Sequence, residues 1–288
     1  MRRPFVDTHV HFWDLKDPAL HYSWLQPEVT HPLLGNIDGI KSQRYTADEL
    51  VAESRFHGVT KAVHVQAAVG TTDPVEETRW LQEQADRTGF PHGIVAHCDL
   101  AAPDASEQLA RHLAHPNVRG IRDFGHGDFW SDPAWRRGYG RLAEHELVAC
   151  VDITWEDMAK ARGLADEHED VLLCLDHAGF PLARTDEYLA TWRSGLETLA
   201  GAENVICKIS GLGMGDPRWT AASIRPLALA CIEIFGVRRC VLGTNWPVDR
   251  LYSSYGDVLD AYDEITAELS DDERTALFSG NAERIFRL

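Results

Sequence analysis

Short apolar segments rich in β-branched residues recur along the chain at 4–13, 61–67, 92–100, 118–124, 147–153, 171–177, 205–209 and 239–243. Most are bounded by Gly, Pro or a charge, the pattern of strands buried on both faces. After the first interval they begin every 24 to 34 residues, the span of one strand and one helix. The stretches between them read as helices over 104–115, 133–145, 156–168, 186–200, 217–235 and 256–269. Two more carry start signals: Thr46 with Glu49 before Leu50, and Asp73 before Pro74 at the first helical position, with Gly89 as a stop. Ser270 with Glu273 caps a last one.

Eight strand–helix alternations call for parallel strands, because parallel neighbours need a crossover connection. The count fits an α/β fold of the (β/α)8 TIM-barrel type, with residues 1–288 as one unit. An open doubly wound sheet is the alternative, since periodicity does not itself show closure. The interval from Trp13 to Lys61 breaks the rhythm with a polar, aromatic stretch containing His21, Tyr22, Trp24 and Leu25. A long loop after the first strand would lie over the C-terminal face, where barrel active sites are built, and would wall or cover the pocket.

Composition narrows the function classes. Apolar residues are 44% and charged residues 25%, which excludes a disordered chain. Twenty-eight Lys and Arg against 45 Asp and Glu give a net charge of −17, a field that repels phosphate backbones and anionic lipid surfaces. Neither nucleic acid nor membrane is expected as a partner. The apolar runs are far short of the roughly 20 residues a membrane helix needs. Arg2 and Arg3 are followed by Asp7, His9 and His11 rather than an apolar leader core, so a cytoplasmic location is expected. Cys98, Cys150, Cys174, Cys207, Cys231 and Cys240 include no CxxC pair and are expected to be reduced core thiols.

The candidate chemistry sits at strand ends. In VDTHVHFWD, residues two apart share a face, so Asp7, His9 and His11 can all point into the barrel. His64 and Gln66 share a face on the second strand, His97 lies late on the third, Arg122 ends the fourth, Asp152 is late on the fifth, and Asp176-His177 ends the sixth. Burying so many polar groups without partners would cost roughly 1 to 3 kcal/mol each, which favours a shared site. After the eighth strand the chain turns into GTNWPVD, with Asn245 as the inward group and Trp246 as a pocket wall. No GxGxxG, P-loop or GxSxG string is present, so nucleotide and serine-hydrolase readings fall away.

The strings VDTHVHFWD, GIRDFG, LDHAG, GTNWPVD and NAERIFRL resemble the amidohydrolase-related barrel hydrolases, in particular the branch acting on sugar lactones and dicarboxylate lactones. The likeness runs from Val6 to Leu288. It implies hydrolysis of a small lactone, with His9 and His11 at the metal or substrate position, His177 polarising the carbonyl and Arg122 gripping a carboxylate or hydroxyl. His9, His11 and His177 could together hold one divalent metal such as Zn²⁺, although a metal-independent enzyme is equally compatible.

Two departures matter. Asn245 stands where related sequences commonly carry Asp, and an amide takes no proton from water. The fifth strand ends without the His or Lys of metal-rich relatives, which argues against a binuclear centre. The general base is therefore His177, Asp249, Asp152 or a metal-bound hydroxide. Metal-dependent decarboxylation of an aromatic or unsaturated acid, and a non-catalytic ligand-binding barrel, are the two other functions this pattern allows.

Overall fold

The structure is a computed structural model that describes residues 2–125 and 127–288. Eight parallel strands form one sheet in sequential order: β1 (Phe5–Val10), β2 (Val59–Val65), β3 (Gly93–Ala96), β4 (Val118–Arg122), β5 (Val148–Val151), β6 (Leu173–Leu175), β7 (Val205–Ile209) and β8 (Cys240–Leu242). A doubly wound sheet would reverse its strand order partway, and this one does not. The first and last strands meet instead. Thr8 Oγ1 donates to the Leu242 carbonyl at 2.8 Å, Val10 bridges Trp246, and His11 N–H donates to the Trp246 carbonyl at 2.8 Å. The result is a nearly closed (β/α)8 barrel.

Helices α1 (Ala47–Ser54), α2 (Val75–Thr88), α3 (Ala105–Leu113), α4 (Pro133–Gly140), α5 (Met158–Glu167), α6 (Asp186–Ala200), α7 (Ala221–Phe235) and α8 (Tyr255–Ile265) surround it. The expected start and stop signals are in place. Thr46 N–H donates to the Glu49 carboxylate at 2.8 Å, and Gly89 ends α2 at φ +83°. Ser270 and Glu273 form a capping box for α9 (Asp271–Thr275). Pro74 lies just outside α2 rather than in its first turn, and the expected 133–145 helix tightens into a 3₁₀ turn at Arg141.

Two apolar layers result. The larger lies between sheet and helices. The smaller fills the barrel with Val6, Val63, Val95, Val148, Ile206 and Val241, and Ile285 and Phe286 of α10 (Asn281–Phe286) pack against it. All six cysteines are buried and unpaired. Among the described residues, no helix is long and apolar enough to cross a membrane.

The long interval after β1 is pinned rather than loose. Trp13–Asp14 pairs antiparallel with Arg44–Tyr45, and Tyr22, Leu25, Ile37 and Ile40 are buried. Trp24 Nε1 donates to the Ala67 carbonyl at 2.8 Å, which ties the loop over the end of β2.

Candidate active site

A bulge in β1 decides what that strand presents. Asp7 registers with Ala62 and Val10 with His64, so three steps on β1 match two on β2 and the side-chain phase slips by one. Val6 stays in the barrel layer, while Asp7 turns toward the helices. Its carboxylate accepts from Thr244 N–H at 2.9 Å, Thr244 Oγ1 at 2.6 Å and Tyr255 OH of α8 at 2.8 Å. Asp7 therefore does not join His9 and His11 as the i, i+2 alternation predicts. It closes the β1–β8 seam. Burial pushes its pKa up to about 6 against these hydrogen bonds.

Beyond the bulge the two imidazoles do converge, with His9 Nε2 and His11 Nε2 3.1 Å apart. His11 Nδ1 is 2.8 Å from the Val65 carbonyl, which only accepts, so Nδ1 carries the proton and Nε2 the lone pair. Burial holds both rings well below the usual His pKa, with positive neighbours adding to the shift. His11 reaches a cavity of about 630 Å³ over the C-terminal ends of the strands, whereas His9 lies beneath it, fully buried.

Gln66, Arg122, Asp152, His177 and Asn245 line the same cavity. Arg122, from the end of β4, donates through Nη1 to Asp152 Oδ2 at 3.0 Å and through Nη2 to the Gln66 carbonyl. Its guanidinium sits 4.9 Å from the centre of the Phe124 ring. Asp152 Oδ1 has no hydrogen-bond partner and is 4.0 Å from His177 Nε2.

His177 follows β6 in a left-handed turn, with φ +52° for both His177 and Ala178. Non-glycine residues rarely adopt that region, and such strain concentrates where a side chain must be aimed. Ser210 Oγ holds His177 Nδ1 at 3.0 Å. Burial lowers the His177 pKa, and the Asp152 and Asp176 carboxylates oppose that shift. Asn245 is also left-handed, at φ +58°, and its Nδ2 donates to Asp249 Oδ1 at 2.8 Å. Asp249 stands behind Asn245, away from the cavity, and burial raises its pKa to about 7.

Three other expected contributors lie elsewhere. His64 alternates out of the barrel interior, packs 5.4 Å from the Phe12 ring and has Nε2 4.0 Å from Glu77 Oε1 of α2. Burial drives its pKa down to about 3. His97 Nδ1 pairs with the Arg122 carbonyl at 3.1 Å, so it supports the backbone that carries the arginine without lining the cavity. Trp246 is no wall. It is fully buried and donates through Nε1 to Glu53 of α1 at 2.8 Å.

The structure adds residues that the strand-end pattern does not show. Lys208 of β7 is fully buried in the barrel with Nζ 2.7 Å from Asp176 Oδ1 and 3.8 Å from Cys150 Sγ. Burial pulls the ammonium down, but the Asp176 charge more than offsets it and holds the pKa above normal. Ser210 anchors His177. Val29, His31, Leu33 and Leu34 of the long loop reach the cavity, as do Phe180, Leu182 and Met214. A lysine between apolar β residues was the one available signal for Lys208.

A divalent cation finds a partial fit. The His11 Nε2 lone pair is the donor that metals take when the other ring nitrogen is tied to a carbonyl. His9 Nδ1 and Asp176 Oδ2, 3.9 Å apart, are both buried without partners. A cation on the two Nε2 atoms would make His9 Nδ1 an N–H donor toward that carboxylate. His177 has its ring centre 4.4 Å from that of His9 and a free Nε2, but among the described residues its nitrogens do not come within joint reach of both His9 and His11. Among the described residues one trio does converge, Cys150, Cys174 and Asp176, but the Lys208 ammonium already supplies positive charge there.

The amidohydrolase family model matches residues 6–288. The uncharacterised protein y4mH of Sinorhizobium fredii is 37% identical over 297 residues, covering 98% of both chains. L-fucono-1,5-lactonase of Burkholderia multivorans is 29% identical, covering 98% of this chain and 96% of its own. The crystal structure of a B. multivorans amidohydrolase with bound zinc superposes with a TM-score of 0.85 at 29% identity, covering 99% of each chain.

Proposed function

Because the chain belongs to the amidohydrolase family, we propose that it is a hydrolase that opens a small-molecule lactone by adding water to the ring carbonyl. The observation that carries this reading is one constellation: His177, Asp152 and Arg122 side by side on one cavity, with Arg122 and Asp152 paired at 3.0 Å and His177 Nε2 4.0 Å from the same carboxylate. Similarity to an L-fucono-1,5-lactonase over nearly the whole chain supports lactone chemistry. The polar edge draws on β1 to β8, so residues 1–288 act as one catalytic unit.

We assign His177 the tautomer in which Nδ1–H donates to Ser210 Oγ, which leaves a lone pair on Nε2, and burial keeps the ring neutral at pH 7, as a general base must be. It takes a proton from the attacking water. The imidazolium formed gains the Asp152 carboxylate as counter-charge, and the oxyanion on the carbonyl carbon faces the Arg122 guanidinium. His177 then returns the proton to the departing ring oxygen, and a hydroxy acid leaves. Asn245, held by Asp249, orients substrate and takes no proton. His9 and His11 would hold a divalent ion, which when bound polarises a carbonyl as a Lewis acid.

Release of acid from a lactone panel, followed with a pH indicator, tests this reading. His177→Asn should lower turnover by about 10² or more. Unchanged kinetics in that variant would remove His177 from the proton transfers.

A further inference from the structure

The cavity has more apolar wall than a hydroxylated ring can use. Ligand pockets begin at about 300 Å³, so one small ring leaves a large part of the 630 Å³ unfilled. The cavity is also bordered by Val29, Leu33 and Leu34 from the loop and by Phe180, Leu182 and Met214 from beyond β6 and β7, with Ser23, His31 and Thr154 as further polar lining. Five of the six apolar side chains carry no polar atom, and Met214 offers only a weakly accepting thioether. Leu33 and Phe124, which also borders the cavity, stay 38% and 46% exposed. Among the described residues only two other large apolar side chains, Val51 and Phe56, are left so open. Apolar surface gathered at one concave place marks an occupant rather than a random face.

The lobe is also built in advance. His31 and Gly35 exchange backbone hydrogen bonds at 3.0 and 2.8 Å, and His31 Nδ1 accepts the N–H groups of Leu33 and Leu34 at 3.2 Å each. Gly35 makes this turn at φ +70°. The loop backbone that carries Leu33 and Leu34 is thus fixed by its own hydrogen bonds, which lowers the ordering cost at binding.

We infer that the substrate is a lactone whose ring carries an apolar substituent, an alkyl or aryl group of about four carbons or more, seated in this lobe while the carbonyl meets Arg122 and His177. This rests on the lactonase reading and adds the substrate class to it. Specificity then comes from the desolvated substituent, and a polyhydroxylated ring is the poorer substrate because hydroxyls set against the six apolar side chains would lose water for little return.

The test is a matched series: δ-valerolactone, its 5-butyl derivative and a gluconolactone of the same ring size. Each methylene taken from water multiplies affinity about fourfold. The butyl compound should therefore exceed the unsubstituted ring by at least about tenfold in kcat/KM, chiefly through KM, and exceed the sugar lactone likewise. The butyl preference should fall toward one in Leu33→Asn/Leu182→Asn. Calorimetry with piperidin-2-one and its 6-butyl derivative, which are not hydrolysed, should show the same ratio in binding. If no lactone turns over while the butyl lactam still binds tenfold tighter, the hydrolysis reading fails and the lobe stands. Equal lactam affinities, a sugar lactone preferred over the butyl compound, or a preference untouched by the double variant would overturn the inference.

Discussion

Asp249→Asn separates two roles that the sequence left joined. Asp249 is buried and accepts one hydrogen bond from Asn245 Nδ2 at 2.8 Å, with the buried Asp7 as a like charge nearby. Burial, helped by Asp7, raises its pKa from 3.8 to about 7, while the unfolded chain releases the same proton near 3.8. Between those values the native state binds more protons than the unfolded state, so stability falls as pH rises. At about 1.4 kcal/mol per pH unit, roughly 3 kcal/mol of the wild-type stability present at pH 5 is lost by pH 8 on this account alone. Asn fills the same space, can still accept from Asn245 and never ionises. The variant should therefore gain about 3 kcal/mol over wild type on going from pH 5 to pH 8, read from urea unfolding at both. Buried Glu77, with a pKa near 7, shifts both proteins alike and drops out of the comparison, whereas Asp7 loses a like charge in the variant, so the gain belongs to the coupled pair. A stability difference that is the same at both pH values would refute the reasoning. On a lactone substrate, Asp249→Asn should lose less than about tenfold in kcat/KM, since Asp249 does not reach the cavity; a loss of about 10² or more would make it the base.

Other outcomes follow from the same geometry. Because His177 works as the neutral base with a lowered pKa, kcat/KM should fall only as pH drops below 6.5 and stay flat above it, and an acid limb centred above pH 7 would contradict this. Lys208→Met strands the buried Asp176 carboxylate and should cost about 3–5 kcal/mol in urea unfolding, with at least half recovered in Lys208→Met/Asp176→Asn. Gly211→Ala should lower both thermal stability and turnover. Gly211 sits at φ +61°, and its new Cβ would lie 2.6 Å from His177 Nδ1 and 2.5 Å from Met214 Cε. Arg122→Lys keeps a charge but loses the two-pronged grip on Asp152 and Gln66, so kcat/KM should drop at least tenfold.

The strand and helix order was legible because every βα unit buries one apolar strand and caps one helix, and both leave local marks. Strand ends were read too long at 92–100, where pairing stops at Ala96, since apolar residues continue into the loops that meet the cavity. Phase was the first thing hidden. One extra residue in β1 leaves no compositional trace, yet it sends Asp7 to the seam and His9 into the barrel. His64 and Trp246 were misplaced for a related reason: polarity or aromaticity near a strand end does not say which layer a side chain enters, and here the partners Glu77 and Glu53 lie on helices α2 and α1. Lys208 gained meaning only when folding set it against Asp176. The apolar lobe had no periodic signal, because a loop's residues are placed by their anchors rather than by an alternation of their own.

The seam between β1 and β8 has a consequence for how this chain is made. Asp7 must wait for Thr244, 237 positions later, and for Tyr255 after that, before its carboxylate has any of those donors. A polypeptide leaving the ribosome thus carries an open-edged, partly wound sheet through most of its synthesis, with β1 unpaired on one side until the eighth unit emerges. Chaperone occupancy during translation, measured by ribosome profiling of nascent complexes, should persist past that point and then drop sharply.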